Sequence, residues 1–162
     1  MAISISSPQP LAHQHDCSEF DCGEPLLNDW LKRRALANQS SGASRTFVVV
    51  DERQHVLGFY ALAAGAVAQR ESTGAVRRNM PDPIPVLVLA RLAVNRDHQG
   101  MQLGSALLKD AVLRAVAVAQ NAGVRALLVH ALHHDAKAFY QHYGFKESPA
   151  DPMTLMLCLP HF

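Results

Sequence analysis

At 162 residues, with 49% hydrophobic and 18% charged residues, the chain has the composition of a single globular domain large enough for a true core. A net charge of +1 excludes binding to nucleic acid through global charge, so any RNA contact must come from a local basic patch. No apolar run reaches the roughly 18 residues of a membrane span, and the N-terminus lacks a signal-peptide core, which points to a cytoplasmic protein.

Residues 1–16 read as a weak strand around Ile3 and Ile5 that runs into a loop. His13, His15, Cys17 and Cys22 lie close together, but their spacing matches no common zinc module. With Cys158 they leave three cysteines, too few for a disulfide framework. Pro25 suits a first helical turn, and Leu26, Leu27, Trp30 and Leu31 form an apolar stripe. The stretch predicts one amphipathic helix over Glu24–Asn38, with Lys32, Arg33 and Arg34 in its second half and a stop at Ser40–Gly42. Thr46–Val50 and Val56–Val67, separated by polar Asp51–His55, predict a hairpin. Gln69–Pro85 contains Gly74, Pro81, Pro83, Arg70, Arg77 and Arg78 and reads as a loop long enough to suspect function.

Val86–Val94 is an apolar strand interrupted only by Arg91. The chain turns polar through Asn95–His98 and passes a glycine-containing turn, Gln99–Gly104. It then becomes helix-periodic, with Leu103, Leu107, Ala111, Ala115 and Ala119 at every fourth position. Gly123 ends this helix. Arg125–Leu132 reads as a strand, with His130, His133 and His134 at its end rather than in a ligand set. Asp135 predicts the N-cap of a helix over Ala136–His142, with Gly144 as its stop. Pro149–Pro152 turns the chain, and Met153–Leu159 is a last strand. The order β, α, β, β, β, α, β, α, β predicts a mixed sheet in an α/β or α+β domain covering residues 1–162.

The strand–turn–helix at Val86–Ala111 is where successive backbone N–H groups and the positive end of a helix dipole converge on an anion. Gly100 and Gly104 allow close backbone approach. A Rossmann fingerprint and a Walker loop are both absent. The turn resembles the acyl-CoA pyrophosphate loop [QR]-x-x-G-x-[GA] of the GNAT acetyltransferases. Gln99 takes the first position, Gly104 the last, and Gln102 stands where the middle glycine would be. Ala136-Lys-Ala-Phe-Tyr-Gln-His-Tyr-Gly-Phe145 resembles the GNAT helix signature A-x-x-F-Y-x-x-x-G-F. The resemblance implies the GNAT acyl-CoA N-acyltransferase fold, a splayed central sheet flanked by helices, with acetyl-CoA as co-substrate and no metal.

Phe20-Asp-Cys-Gly23 with Leu27-Asn-Asp-Trp-Leu31, Gly58-Phe-Tyr-Ala-Leu-Ala63 and Leu89-Ala-Arg-Leu-Ala-Val94 are similar to the tRNA-acetylating toxins of bacterial type II toxin–antitoxin modules. That likeness implies acetylation of the α-amine of an amino acid on charged tRNA, which blocks translation. It also implies a ribbon-helix-helix antitoxin as partner, DNA reached only through the antitoxin, and a homodimer. His133 and His134 stand where acidic residues would be expected in relatives.

The resemblance assigns the amides of Gln99, Gly100, Met101, Gln102, Leu103, Gly104 and Ser105 to the pyrophosphate, the backbone of Leu92, Ala93 and Val94 to the pantetheine arm, and a backbone N–H near Leu92 or Ala93 to the oxyanion. Tyr140 becomes the general acid for the departing thiolate, with Tyr143 as its competitor. An unperturbed Tyr has a pKa of about 10 and is protonated at neutral pH. Val86–Val94 holds no Asp, Glu or His to act as base. A lysine amine needs one, whereas the α-amine of an esterified amino acid, below about 8, does not. The basic candidates for tRNA are Lys32, Arg33, Arg34, Arg45, Arg77, Arg78, Arg91, Arg96 and Lys137, each of which also reads as a solubilising charge. Arg91 is the sharpest, because a half-buried Arg needs a partner. The alternatives are a GNAT enzyme acting on a small amine or a protein N-terminus, and a non-catalytic CoA-binding module.

Overall fold

The computed structural model describes residues 4–160, so the predicted strand residue Ile3 lies outside the described residues. Its seven strands are β1 (Gln9–Pro10), β2 (Arg45–Val50), β3 (Val56–Val67), β4 (Ile84–Val94), β5 (Ala126–His130), β6 (Lys146–Glu147) and β7 (Thr154–Cys158). The helices are α1 (Pro25–Arg33), α2 (Ala35–Ser41), α3 (Gly74–Arg77), α4 (Leu103–Ala119) and α5 (His134–His142). The strands form one mixed sheet in the order β1-β2-β3-β4-β5-β7-β6, flanked by the helices. By contact the chain forms two compact units, one of residues up to Ala63 with Arg91–Ala111, the other of Ala64–Ala90 with the residues from Val112 onward.

The first unit is built on the antiparallel β2–β3 hairpin, which runs from Arg45↔Leu62 to Val50↔Val56 with an irregularity at Val49/Val50. Alternation puts Phe59 on one face of β3, where it packs with Phe20, Leu31, Val48 and Ala93. Tyr60 faces the other way, stacks on Phe47 and hydrogen-bonds to Asp110 in the middle of α4. The single helix predicted over Glu24–Asn38 is instead two. Arg34 leaves helical geometry at φ −120°, ψ −32°. The break docks α2 on β2, where the Gln39 side chain accepts from the Thr46 N–H at 2.8 Å and the Arg45 guanidinium donates to the Gln39 carbonyl at 2.7 Å. Gly42, left-handed at φ 81°, closes α2 with its N–H on the Asn38 carbonyl.

In the second unit β4 runs parallel to β5 from Val86↔Ala126 to Leu89↔Val129, and β5 pairs antiparallel with β7. Val67, Val76, Ile84, Val86, Leu128 and Met156 form its core. The predicted Gln69–Pro85 loop contains α3, capped by Thr73, whose hydroxyl accepts from the Val76 N–H. The Arg125 guanidinium donates to the carbonyls of Ala75 and Val76 at the open end of that helix. β4 starts at Ile84, inside the stretch read as loop, and β6 is an added edge pair. α4 stops at Ala119, short of Gly123, where the Asn121 side chain takes the Ala117 carbonyl. His133, not Asp135, caps α5: its Nδ1 accepts from the Ala136 N–H at 3.1 Å, and Asp135 falls in the first turn, where the dipole favours it. Gly144, at φ 95°, follows the helix as predicted.

Candidate active site

The predicted cradle residues fall together in the first unit. Leu92–Val94 end β4 beyond the last residue paired with β5, Leu89. Asn95 to Gln99 form a short 3₁₀ turn, and α4 begins at Leu103. Gly100 is at φ 82°, a backbone conformation that suits glycine, with open space around it. Gln102, in the place of the expected middle glycine, keeps a left-handed backbone at φ 60° despite its side chain. Gly104 and Ser105 form the first turn of α4.

A latch the sequence reading missed fastens this turn to the Phe20–Gly23 segment. The Arg96 N–H donates to the Asp21 carbonyl at 2.8 Å, and the Asp21 N–H donates to the Asn95 side chain at 3.0 Å. The Gln99 amide nitrogen spans the Cys22 and Val94 carbonyls at 3.1 and 2.9 Å. Asn28, near the start of α1, donates to the Asp21 carboxylate, and its side-chain oxygen accepts from the Cys22 N–H. Hydrogen bonds from Gly23 and Asn28, and then the charge of Arg96, hold the Asp21 carboxyl below the ordinary carboxylate range. The signal was present in the sequence as the polar pair Asp21 and Asn28, each placed to satisfy backbone groups near a helix start. A cleft of about 540 Å³ opens beside the latch, lined by Asp16, Asp21, Asp51, Asp97 and Arg96 among others. Its acidic lining would repel an anion such as pyrophosphate.

Arg91 lies in the same unit, with its guanidinium carbon 4.2 Å from the centre of the Trp30 ring. Partial burial lowers its pKa, a sign of a desolvated cation. Lys32, Arg33 and Arg34 are exposed around the end of α1, while Arg96 is drawn to Asp21 at 3.5 Å. Arg45 is held by Gln39, as described above. Burial pushes the Cys17 thiol up to about 11, leaving a neutral group that is neither nucleophile nor ready ligand. Among the described residues no cluster of three or more His, Cys, Asp or Glu is arranged to hold a metal.

Tyr140, Arg77 and Arg78 belong to the second unit. Tyr140 is the buried residue of α5, its ring set against Phe139 and Phe145 at 5.2 and 5.5 Å. Burial raises its pKa above the ordinary phenol value, so it keeps its proton throughout the neutral range. Tyr143 is far more exposed and stacks edge-on with Phe139 and His142. Arg77 donates to the Ser72 carbonyl at 3.1 Å, and Arg78 is exposed. Lys137 is committed to Glu147 at 2.6 Å.

The acetyltransferase (GNAT) domain family matches residues 43–147, the span from the first long strand through the latch turn and α5. The chain belongs to the GNAT acetyltransferase family. A tRNA-acetylating toxin of Mycobacterium tuberculosis is 53% identical to this GNAT chain over 154 residues, 95% of the chain and 92% of the relative. AtaT, solved in complex with acetyl-methionyl-tRNAfMet, shares the fold with a TM-score of 0.87 at 24% identity, covering 97% of this chain and 95% of that one. An AtaT mutant bound to the C-terminus of its antitoxin AtaR and to acetyl-CoA superposes with a TM-score of 0.78 at 25% identity, covering 98% and 94%.

Proposed function

We propose that this acetyltransferase moves the acetyl group of acetyl-CoA to the α-amine of the amino acid on charged tRNA, blocking translation in the cytoplasm as a toxin held in check by a cognate antitoxin. The observation that carries this reading is the 53% identity, over nearly the whole of both chains, to a tRNA-acetylating toxin. A ribbon-helix-helix antitoxin and a homodimer complete the proposal, with the whole chain acting as one acetyltransferase domain.

The chemistry follows from the residues. The amides of Gln99, Gly100, Met101, Gln102, Leu103, Gly104 and Ser105 hold the pyrophosphate at the start of α4. The backbone of Leu92, Ala93 and Val94 receives the pantetheine arm, and an N–H at Leu92 or Ala93 donates to the thioester oxygen. The neutral amine attacks the thioester carbon, a C–N bond forms, and the oxyanion collapses to break the C–S bond. Tyr140 gives its proton to the departing thiolate, and the proton lost from nitrogen passes to water. β4 carries no carboxylate or His, which suits an amine already largely neutral at pH 7. Lys32, Arg33, Arg34, Arg77, Arg78, Arg91 and Arg96 form the basic set for tRNA.

The test is incubation with acetyl-CoA and total charged tRNA, followed by identification of the acetylated amino acid. Acetylation should fall steeply between low and moderate salt. Replacing both Arg77 and Arg78 with Glu should reduce it while leaving acetyl-CoA affinity intact. A small free amine acetylated as fast as charged tRNA, with neither salt dependence nor an effect of those substitutions, would establish a metabolite acetyltransferase instead.

A further inference from the structure

Phe59 stacks on the Trp30 ring at 6.0 Å and an interplanar angle of 12°, and Phe59 is in turn braced edge-on by Phe20 at 5.5 Å. Arg91 lies over the same indole, its guanidinium carbon 4.2 Å from the ring centre. Trp30, itself held by Phe59, therefore sets the orientation of a guanidinium.

The other engaged basic side chains have acceptors: Arg45 the Gln39 carbonyl, Arg77 the Ser72 carbonyl, Arg96 and Lys137 carboxylates. Arg91 has its ring contact and, among the described residues, no oxygen that accepts from it. A guanidinium carries five N–H donors, all in its plane. The Trp30 ring supplies charge stabilisation to the face but no lone pair to those edge donors. A partly buried cation with unused donors is costly alone and suits an anion that presents two oxygens to its fork, as a phosphodiester does. Arg91 also sits one residue before Leu92, the start of the backbone stretch assigned to the reacting thioester. Whatever it binds is therefore near the reacting end of the acceptor rather than the body of the tRNA.

We infer that Arg91 receives one phosphodiester of the single-stranded acceptor end of charged tRNA, and that Trp30 is the positioning residue that presents it. This rests on the aminoacyl-tRNA reading above and assigns one member of the basic set a specific task. Lys32, Arg33 and Arg34, exposed and unconstrained, contribute diffuse attraction.

The experiment compares wild type, Arg91→Gln, Arg91→Lys, Trp30→Phe, Trp30→Leu and the Trp30→Leu/Arg91→Gln double variant. Each is followed by the KM for charged tRNA across a salt series, acetyl-CoA affinity by calorimetry, and thermal melting. One phosphate contact on a single strand contributes about 0.7 to the slope of log affinity against log salt. Arg91→Gln should lower the slope by about that amount and raise the KM roughly ten- to hundred-fold, with acetyl-CoA affinity unchanged. Arg91→Lys should keep the slope with an intermediate KM. Trp30→Phe should stay near wild type. Trp30→Leu should raise the KM, and the double variant should be no worse than Arg91→Gln alone, a non-additivity that a purely structural tryptophan would not give. If Trp30→Leu fails to fold, Arg91→Gln alone decides the phosphate contact. An unchanged salt slope in Arg91→Gln overturns the proposal, as does weakened acetyl-CoA binding. A wild-type protein that acetylates a small amine but no charged tRNA removes the underlying function, and is recognised without any variant.

Discussion

Gly58→Ala is a one-carbon perturbation at the centre of the first unit. An added Cβ would lie 2.9 Å from Leu107 Cδ1, 3.3 Å from Val49 Cγ2 and 3.4 Å from the Ala93 carbonyl oxygen. Carbon atoms pack best at about 3.5–4.0 Å, so the first contact is more than half an ångström too close. Relief is restricted on every side: Leu107 is 0% exposed, Val49 is 2% exposed, and the third neighbour is backbone. Overpacking of this kind costs about 1–3 kcal/mol. For a chain of this size that lowers the melting temperature by roughly 2–12 °C. Calorimetry or circular dichroism melts would measure it, with Gly123→Ala as control, because a Cβ there meets nothing within 4 Å. Leu107→Ala alone should cost about 2–5 kcal/mol by leaving a cavity. In the Gly58→Ala/Leu107→Ala double variant the new methyl enters that cavity, and the cost should fall well below the sum. A Gly58→Ala protein that melts with wild type, or strictly additive losses in the double variant, would refute the claim that this contact is rigid.

Tyr140→Phe should bind acetyl-CoA normally and lose about 10²–10⁴ in kcat. Because burial raises the phenol pKa, the protonated acid persists as pH rises and is lost only above its ordinary value of about 10. The kcat profile should therefore show no falling limb at pH 8–9; such a limb, or full activity in Tyr140→Phe, would transfer the role to Tyr143. Gln102→Gly should relieve the left-handed backbone at φ 60° and, after the entropy cost of glycine, stabilise by about 0.5–1 kcal/mol while tightening acetyl-CoA binding. A lower melting temperature would mean that the Gln102 side chain contributes more than its backbone costs.

The strand–turn–helix of β4 and α4 was legible because periodicity changes abruptly there, from an apolar strand to a four-residue helical repeat across a glycine turn. Leu107, Ala111 and Ala115 are all fully buried, as that repeat predicts. The break at Arg34 was not legible: the apolar stripe is continuous through it, and only the docking of Gln39 on β2 calls for two helices. The cap of α5 went to His133 because a histidine nitrogen can accept like a carboxylate, a choice between neighbours that local propensity does not settle. α3 is a single turn whose carbonyls are satisfied by Arg125, well away in sequence, so nothing within the turn announces it. At the site, Arg91 was marked by its place in an apolar strand, but its partner Trp30 lies on the apolar stripe of α1, where a tryptophan needs no further explanation.

The latch joins residues 74 and 77 positions apart, Asp21 with Asn95 and Cys22 with Gln99. Closing a loop of that length costs about 4 kcal/mol in an ideal chain before its hydrogen bonds return anything. The β2–β3 hairpin, by contrast, closes across Asp51–His55 and rests on local contacts. Contact order then places the fastening of the Asn95–Gln99 turn late in folding, after the hairpin and its aromatic core. Pulse-labelled hydrogen exchange during refolding would see the amides of Val49 and Phe59 protected before those of Asp21 and Arg96, and the reverse order would contradict this sequence of events. During synthesis the chain must emerge past Gln99 before the turn can be tied down, so an incomplete chain holds an assembled hairpin but a loose Phe20–Gly23 segment.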